Sequence, residues 1–467
     1  MLIEKPLPFI TEFIDGINDI IGKYRPGCGL SSIQRYWLSF CIMAVFVTNS
    51  VCWAKFERAG LGQYTLASLS WMFRNSKIPW ESLLTVSVIF ILDRYGIAEG
   101  SLVIDDTDKK RSKNTKKISR VHKLKDKASG GFVMGQCIVF LILVTPKITI
   151  PVGFSFYIPD PELTEWYKKK KALKKAGIPG KTGLRKPPKN KNYPTKQETA
   201  LKLLENFRND FPGIKIRCII ADSLYCSGKF IDRASSVFGN IQVLSQLKRN
   251  QNVVFRNRKM SVSEYFSKYP GVPQKIRIRG GDEITVIMGS ARIRVCSHGK
   301  KRFVIALKYK ETDDYRYIVA PDMSWRTQDI AEAYTLRWLA EVFIQDWKSY
   351  EGWGKLTKQT GDEGSERSLI LSLLCDICLF FHPEQLTRLE NRLPAFTVGS
   401  LAECIKSESM LLFVKELFVS DNPHEKISLL SENLKTFFNP AVSKKHLTDR
   451  IPARLEPSPS LKYKNAA

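Results

Sequence analysis

The sequence predicts an α/β core, a mixed sheet with helices on both faces, interrupted by a β-rich insertion and flanked by helical N- and C-terminal regions. Three observations carry this reading. Apolar residues recur at three- and four-residue spacing through residues 10–98 and again beyond residue 354. At Ser101 the texture changes to runs of Val, Ile and Phe. Strand-like alternation returns between residues 249 and 321, just before a long amphipathic stretch.

The first 98 residues read as a helical domain punctuated by Arg25-Pro-Gly-Cys-Gly29 and Lys77-Ile-Pro79. Its segment Thr65-Leu-Ala-Ser-Leu-Ser-Trp-Met-Phe-Arg74 suits a helix-turn-helix or ordinary bundle packing, and DNA binding is expected of the domain. Strands are expected at Leu102-Val-Ile-Asp-Asp106, residues 132–144 and residues 148–157. A helix over residues 197–211, a buried strand over 214–222, a helix near Phe230 and a strand over 241–247 follow. The order βββ-α-β-α-β is that of a ribonuclease-H-like fold. Residues 99–248 are thus the first part of the core and 249–321 the β-rich insertion. The second part, 322–354, is expected as one helix from Thr327 to Tyr350, with Thr327 as its N-cap. Residues 355–450 read as a helical domain with a dimerisation role, and 451–467 as a disordered tail.

Lys and Arg number 73 against 46 Asp and Glu, a net charge of +27, which points to a polyanionic partner. Lys109, Lys110 and Arg111 open one basic run, and Lys168, Lys169, Lys170 and Lys171 open another reaching Lys191. Both are expected to be flexible arms that contact phosphates. No apolar stretch approaches the roughly 18 residues of a membrane span, and no secretory signal is visible, so an intracellular protein is expected. The 10 cysteines lie scattered in apolar segments, and Cys375-x-x-Cys378 has no second pair, so neither a disulfide framework nor structural zinc is expected. His122 and His298 lack partners at ligand spacing.

Two aspartates end neighbouring expected strands. Alternation puts Leu102, Ile104 and Asp106 on one face of the first and Ile216, Cys218, Ile220 and Asp222 on one face of the other. Paired carboxylates repel unless a cation lies between them, and such oxygen donors suit Mg²⁺ or Mn²⁺. The long helix supplies a third. At about 100° per residue, Tyr334, Arg337, Glu341, Gln345 and Lys348 share one face, while Leu336, Leu339, Phe343 and Trp347 share the other.

The spacing Tyr334-x2-Arg337-x3-Glu341-x6-Lys348 resembles the Y-R-E-K signature of insertion-sequence DDE transposases. Val103-Ile-Asp-Asp-Thr107 and Ile220-Ala-Asp-Ser223 look like the sites of that family's two aspartates, and the resemblance spans residues 101–354. It implies Asp106, Asp222 and Glu341 as catalytic residues holding two Mg²⁺ or Mn²⁺ ions. It further implies phosphate contacts by Tyr334, Arg337 and Lys348. The implied activity is cleavage of inverted-repeat DNA ends and joining of the 3′ ends to target DNA. A homodimer in the end-paired complex, a hairpin intermediate and a cytoplasmic, nucleoid-associated location in a bacterial or archaeal host also follow from the resemblance. A flipped terminal base would stack on an aromatic of the insertion, for which Trp325 and Tyr317 are candidates. Asp105 and Asp106 are adjacent and similarly flanked; the residue immediately before Thr107 best matches the family pattern, which selects Asp106. Two alternatives are a metal-dependent nuclease of the same fold and a catalytically silent transposase-derived DNA-binding protein; three intact carboxylates argue against the second.

Overall fold

The computed structural model describes residues 3, 5–111, 117–126, 130–177, 184–279, 281–310, 314–354, 359–385, 397–428 and 431. Five helices lead: α1 (Pro8–Tyr24), α2 (Ser32–Thr48), α3 (Trp53–Ala59), α4 (Leu66–Asn75) and α5 (Trp80–Tyr95). Next come β1 (Glu99–Lys110), β2 (His122–Lys125), β3 (Phe132–Val144), β4 (Thr149–Tyr157), α6 (Pro161–Lys175), α7 (Lys196–Asp210), β5 (Lys215–Ala221), α8 (Gly228–Val237) and β6 (Gln242–Leu247). The following stretch holds β7 (Asn252–Phe255), β8 (Arg258–Ser261), α9 (Val262–Lys268), β9 (Val272–Arg277), β10 (Glu283–Val295), β11 (Lys300–Tyr309) and β12 (Arg316–Ala320). The chain continues through α10 (Thr327–Thr335), α11 (Arg337–Tyr350), α12 (Gly361–Cys378) and α13 (Val398–Val419). The expected tail at 451–467 lies outside the described residues, as do residues 112–116 of the first basic run.

The mixed sheet with helices is present, and in it β1 is paired antiparallel to β3 and parallel to β5. β4 lies antiparallel to β3, and β6 parallel to β5. β1 and β3 are buried along most of their length because Val, Ile, Leu and Phe fill both faces. The insertion is not a separate sheet. β12 pairs antiparallel with β6, and β11, β10, β7 and β8 follow in turn, so its strands prolong the core sheet to 12 strands. Ladder bonding of β6 explains this: its free edge would otherwise expose unpaired backbone groups.

The helical ends also differ from the separate regions drawn from sequence. Residues Trp37 to Val47 of α2 are all buried, a helix apolar on every side that needs neighbours all round. It packs against α1, α3, α12 and α13, so N- and C-terminal helices share one core. Among the described residues no single helix is long and apolar enough to cross a membrane; α2 with α3 would qualify only as a pair bent by 92°.

Two further expectations change. The helix over 327–350 is broken at Leu336 (φ −63°, ψ −20°), and its first residue is preceded by Arg326, without a side-chain cap; the Thr327 hydroxyl instead meets Ser290 Oγ at 3.1 Å. Lys168 to Lys171 lie on helix α6, not in a loop, because Asp160 caps its first turn and Pro161 starts it. α6 buries no residue. Thr65 caps α4, so the suspected recognition segment is a helix after a short turn from α3.

Candidate active site

β1 and β5 run in register Val103↔Ile220 and Ile104↔Ala221. Continued one residue past the end of β5, this register sets Asp105 level with Asp222, while the carboxylate charge that acts on Asp222 is that of Asp106. The antiparallel neighbour agrees. Asp105 is opposite Phe140, and Phe140 packs edge-on against Phe343 and Trp347 of α11, with centroids 5.9 and 5.2 Å away. Helix α11 therefore covers the Asp105 face. The apolar side expected of this helix supplies that contact, and Trp347 is fixed further by Nε1–H donation to Ser372 Oγ at 2.9 Å.

Arg337 joins the carboxylates. Its Nη1 lies 3.6 Å from Asp105 Oδ2, and its Nη2 donates to Glu341 Oε1. Burial pushes Asp105 up to about 6, against the Asp106 N–H and Arg337 and with the help of the Asp222 and Asp106 charges. Asp222 is likewise raised, by burial first and then by Asp106, although the Leu224 N–H at 2.8 Å, Arg337 and Lys196 oppose the shift. Burial works against the Arg337 charge, but Tyr334, Glu341 and Asp105 outweigh it and raise its pKa.

Asp106 is turned to the opposite face. Its Oδ2 accepts from Lys196 Nζ at 2.5 Å and has Cys137 Sγ at 3.9 Å. Of the two adjacent aspartates, Asp105 is the one paired with Arg337 beside Glu341, and Asp106 is the one paired with Lys196. Asp106, Asp108 and Cys137 do bring one potential ligand atom each within 4.8 Å of one another. At that group the Lys196 ammonium pairs with Asp106, as Arg337 pairs with Asp105 and Glu341, and burial pushes the Cys137 thiol up to about 12, which opposes a thiolate ligand. Asp105, Asp222 and Glu341, by contrast, offer only oxygens, and two of them are crowded anions with raised pKa values, a donor set that fits hard divalent cations.

Lys348 reaches β1, donating to the Asp108 carbonyl at 2.9 Å, and Lys109 donates to the Gly354 carbonyl. Burial lowers both, Lys109 to about 8. Arg111 bonds Gln136 and stacks over Trp353 at 5.0 Å. Lys110 meets Asp126 at 2.8 Å. These cations stitch the end of β1 to neighbouring elements, while Lys168 to Lys171 stand on α6 well apart in sequence and element. Tyr334 is buried with its hydroxyl unpartnered.

Beside Glu341 opens a cavity of about 940 Å³ lined by Arg279, Tyr309, Lys310, Arg316, Arg337 and Trp338, among others. Arg279 lies 3.4 Å from the Trp338 ring centroid, and its N–H donates to Thr335 Oγ1 at 2.9 Å. Trp338 is an aromatic the sequence reading missed; its place next to Arg337 on the glutamate helix was the available signal. Tyr317 is buried and stacked on Phe266 at 5.8 Å, and Trp325 is half-buried against the core. The Tyr317 ring is thus already stacked within the protein. His298 Nε2 meets the Cys226 carbonyl at 2.9 Å, a structural contact.

No curated protein gives a significant match to the chain. Residues 189–375 match the family model described as Transposase DDE domain, a span that holds Asp222, Tyr334, Arg337, Glu341 and Lys348 and begins after β1. By that match, residues 189–375 are similar to the DDE domain of transposases.

Proposed function

We propose that the protein binds the inverted-repeat ends of its element, cleaves them by metal-dependent phosphodiester hydrolysis and joins the freed 3′ ends to target DNA. The carrying observation is the convergence of Asp105 and Glu341 on Arg337, with Asp222 directly after Ala221, the last residue of the adjacent strand and the partner of Ile104. Asp105, Asp222 and Glu341 would hold the cations, Mg²⁺ or Mn²⁺. Two such ions supply activation of a water or 3′-hydroxyl and stabilisation of the leaving 3′-oxygen.

The chain's own groups do the rest. Arg337, which neutralises Asp105 and Glu341 here, would be free to grip a phosphate as a planar fork where those carboxylates hold cations. Lys348 holds β1 against α11 through Asp108 and adds positive potential for the DNA backbone. The Tyr334 hydroxyl, unpartnered and buried, offers a donor to a phosphate oxygen. The cavity beside Glu341 is of a size that accepts one nucleotide, with Trp338 for stacking and Arg279, Lys310 and Arg316 for its phosphate. This supports a flipped base and a hairpin route, with Trp338 in the stacking role. Lysines of α6 contact flanking or target DNA, and two protomers pair the two ends.

The test is incubation of the protein with an end-containing duplex. Nicks are expected with Mg²⁺ or Mn²⁺ and none with EDTA; equal cleavage in chelator overturns the reading. Short inverted repeats bounded by direct duplications around the reading frame are the expected genomic counterpart.

A further inference from the structure

The loop between Asp222 and α8 is fixed by side chains from three separate parts of the protein. Asp222 caps the 3₁₀ turn Ser223–Tyr225 by accepting from the Leu224 N–H at 2.8 Å. From β6, Ser245 Oγ donates to the Asp222 carbonyl at 2.7 Å. From α7, Gln197 Nε2 donates to the Leu224 carbonyl, and its Oε1 accepts from Ser227 Oγ, both at 2.7 Å. The third support belongs to the insertion. Between β10 and β11, the 3₁₀ turn Cys296–His298 brings the His298 imidazole to this loop, and Nε2–H donates to the Cys226 carbonyl at 2.9 Å.

The imidazole is itself held. A carbonyl only accepts and a guanidinium only donates, so the ring carries its proton on Nε2 and accepts at Nδ1 from Arg302 Nε–H at 3.3 Å. Arg302 is buried and donates also to Asp232 Oδ1 at 2.7 Å and to the Gly228 carbonyl at 3.3 Å, both on α8. A Cβ on Gly228 would stand 2.9 Å from His298 Cα, so the insertion's turn presses directly on the start of α8. We infer that His298 is a positioning residue, by which the insertion fixes the loop after Asp222 and with it the Asp222 carboxylate. A displacement of about 0.5 Å is enough to spoil such a ligand, which is why its supporting contacts matter. The inference rests on the proposed metal site of Asp105, Asp222 and Glu341.

The experiment compares His298→Leu, which removes the donor to Cys226, with His298→Gln, whose amide can still donate there. Mn²⁺ binding to the DNA-free protein is followed by the electron-spin-resonance signal of free Mn²⁺, with melting in EDTA measured alongside. His298→Leu is expected to bind Mn²⁺ about tenfold more weakly, the size of one lost buried hydrogen bond, and His298→Gln to stay within about twofold of the unaltered protein. Asp232→Asn is the control, since it loosens Arg302 without touching the Cys226 carbonyl; it should lower melting and leave Mn²⁺ affinity within about twofold. Gly228→Ala, which pushes the turn away from α8, should repeat the His298→Leu effect and replaces it if that variant does not fold. Unaltered Mn²⁺ affinity in His298→Leu, or in Gly228→Ala as its replacement, overturns the inference and leaves the metal site standing, as does an equal loss in Asp232→Asn. Failure of the unaltered protein to bind Mn²⁺, or of Asp222→Asn to weaken binding, overturns both.

Discussion

Asp105 Oδ2 and Arg337 Nη1 stand 3.6 Å apart, joining β1 to the first residue of helix α11, and the same guanidinium also holds Glu341. This contact distinguishes the adjacent aspartates. Asp105→Asn is expected to abolish detectable metal-dependent cleavage of end-containing duplex. Asp106→Asn, which loosens Lys196 on the far face, should retain measurable activity. Gel assays of the two variants check this, and an inactive Asp106→Asn beside an active Asp105→Asn would reverse the assignment.

Arg337 itself separates two carboxylates that would otherwise repel. In Arg337→Met the metal-free Asp105 and Glu341 lose their shared cation. Mn²⁺ binding should therefore persist or tighten, whereas cleavage should fall by about two orders of magnitude, the cost of losing a charged phosphate contact in the transition state. Parallel metal titrations and single-turnover rates read the two effects separately.

The elements that carry the candidate site were partly legible in the sequence, and where the structure differs the causes are physical. The spacing from Tyr334 to Lys348 marked the glutamate helix because side-chain direction follows directly from helical periodicity. Choosing between Asp105 and Asp106 needed the register of β1 against β5, which includes a shift between Gly100 and Leu102 that alternation within either strand does not reveal. The break at Leu336 left no mark, because no Gly or Pro interrupts residues 327–350. Helix α6 was hidden by its lysines, although Asp160-Pro161-Glu162 carried an N-cap, a Pro at the first position and an acidic first turn. That the insertion's strands join the core sheet depends on β6–β12 pairing between segments 70 or so residues apart, which local pattern cannot state.

Glu351 ends α11 and Asp376 lies on α12, both enclosed in the shared helical core. Burial pushes Asp376 up to about 7 and Glu351 well above its ordinary value, reinforced by Asp346 and, for Glu351, by Asp376. Unfolded carboxyls titrate near 3.9 and 4.3. Between about pH 4 and 7 the folded protein thus binds more protons than the unfolded chain, so this pair's contribution to stability falls as pH rises through that window. Melting temperatures in EDTA should decline accordingly, and Glu351→Gln should flatten the decline. A variant with the same slope as the unaltered protein refutes the account.

Trp338 offers its indole to the cavity beside Glu341 and carries Arg279 on one face. Trp338→Ala removes the stacking platform but none of the carboxylates. First-strand nicking should stay within a few-fold of normal, while a later step that needs an unstacked base should slow by about tenfold, in line with one lost base–aromatic stack. Substrates carrying an abasic site at the terminal position should reduce the difference between the two proteins, since they have no base to stack. Equal rates at both steps would remove Trp338 from the reaction.

The lysines of α6 give the last test, because they can be changed without disturbing a core. No α6 residue is buried; Lys168 pairs with Glu165, and Lys170 lies 4.9 Å over the Trp166 ring. Replacing Lys168, Lys169, Lys170 and Lys171 together by Ala keeps helix-forming residues on a helix capped by Asp160, so melting should barely move. Each phosphate neutralised contributes about 0.9 to the slope of log affinity against log salt on duplex DNA. If all four lysines meet phosphates, the slope should therefore shrink by about 3.6. A smaller change counts how many do, and an unchanged slope from 50 to 200 mM salt would show α6 to be a solvated helix that stays off the DNA. Because Lys109 and Lys348 are committed to the carbonyls of Gly354 and Asp108, their substitution should instead lower stability and cleavage together, which distinguishes cations that build the site from cations that meet the DNA.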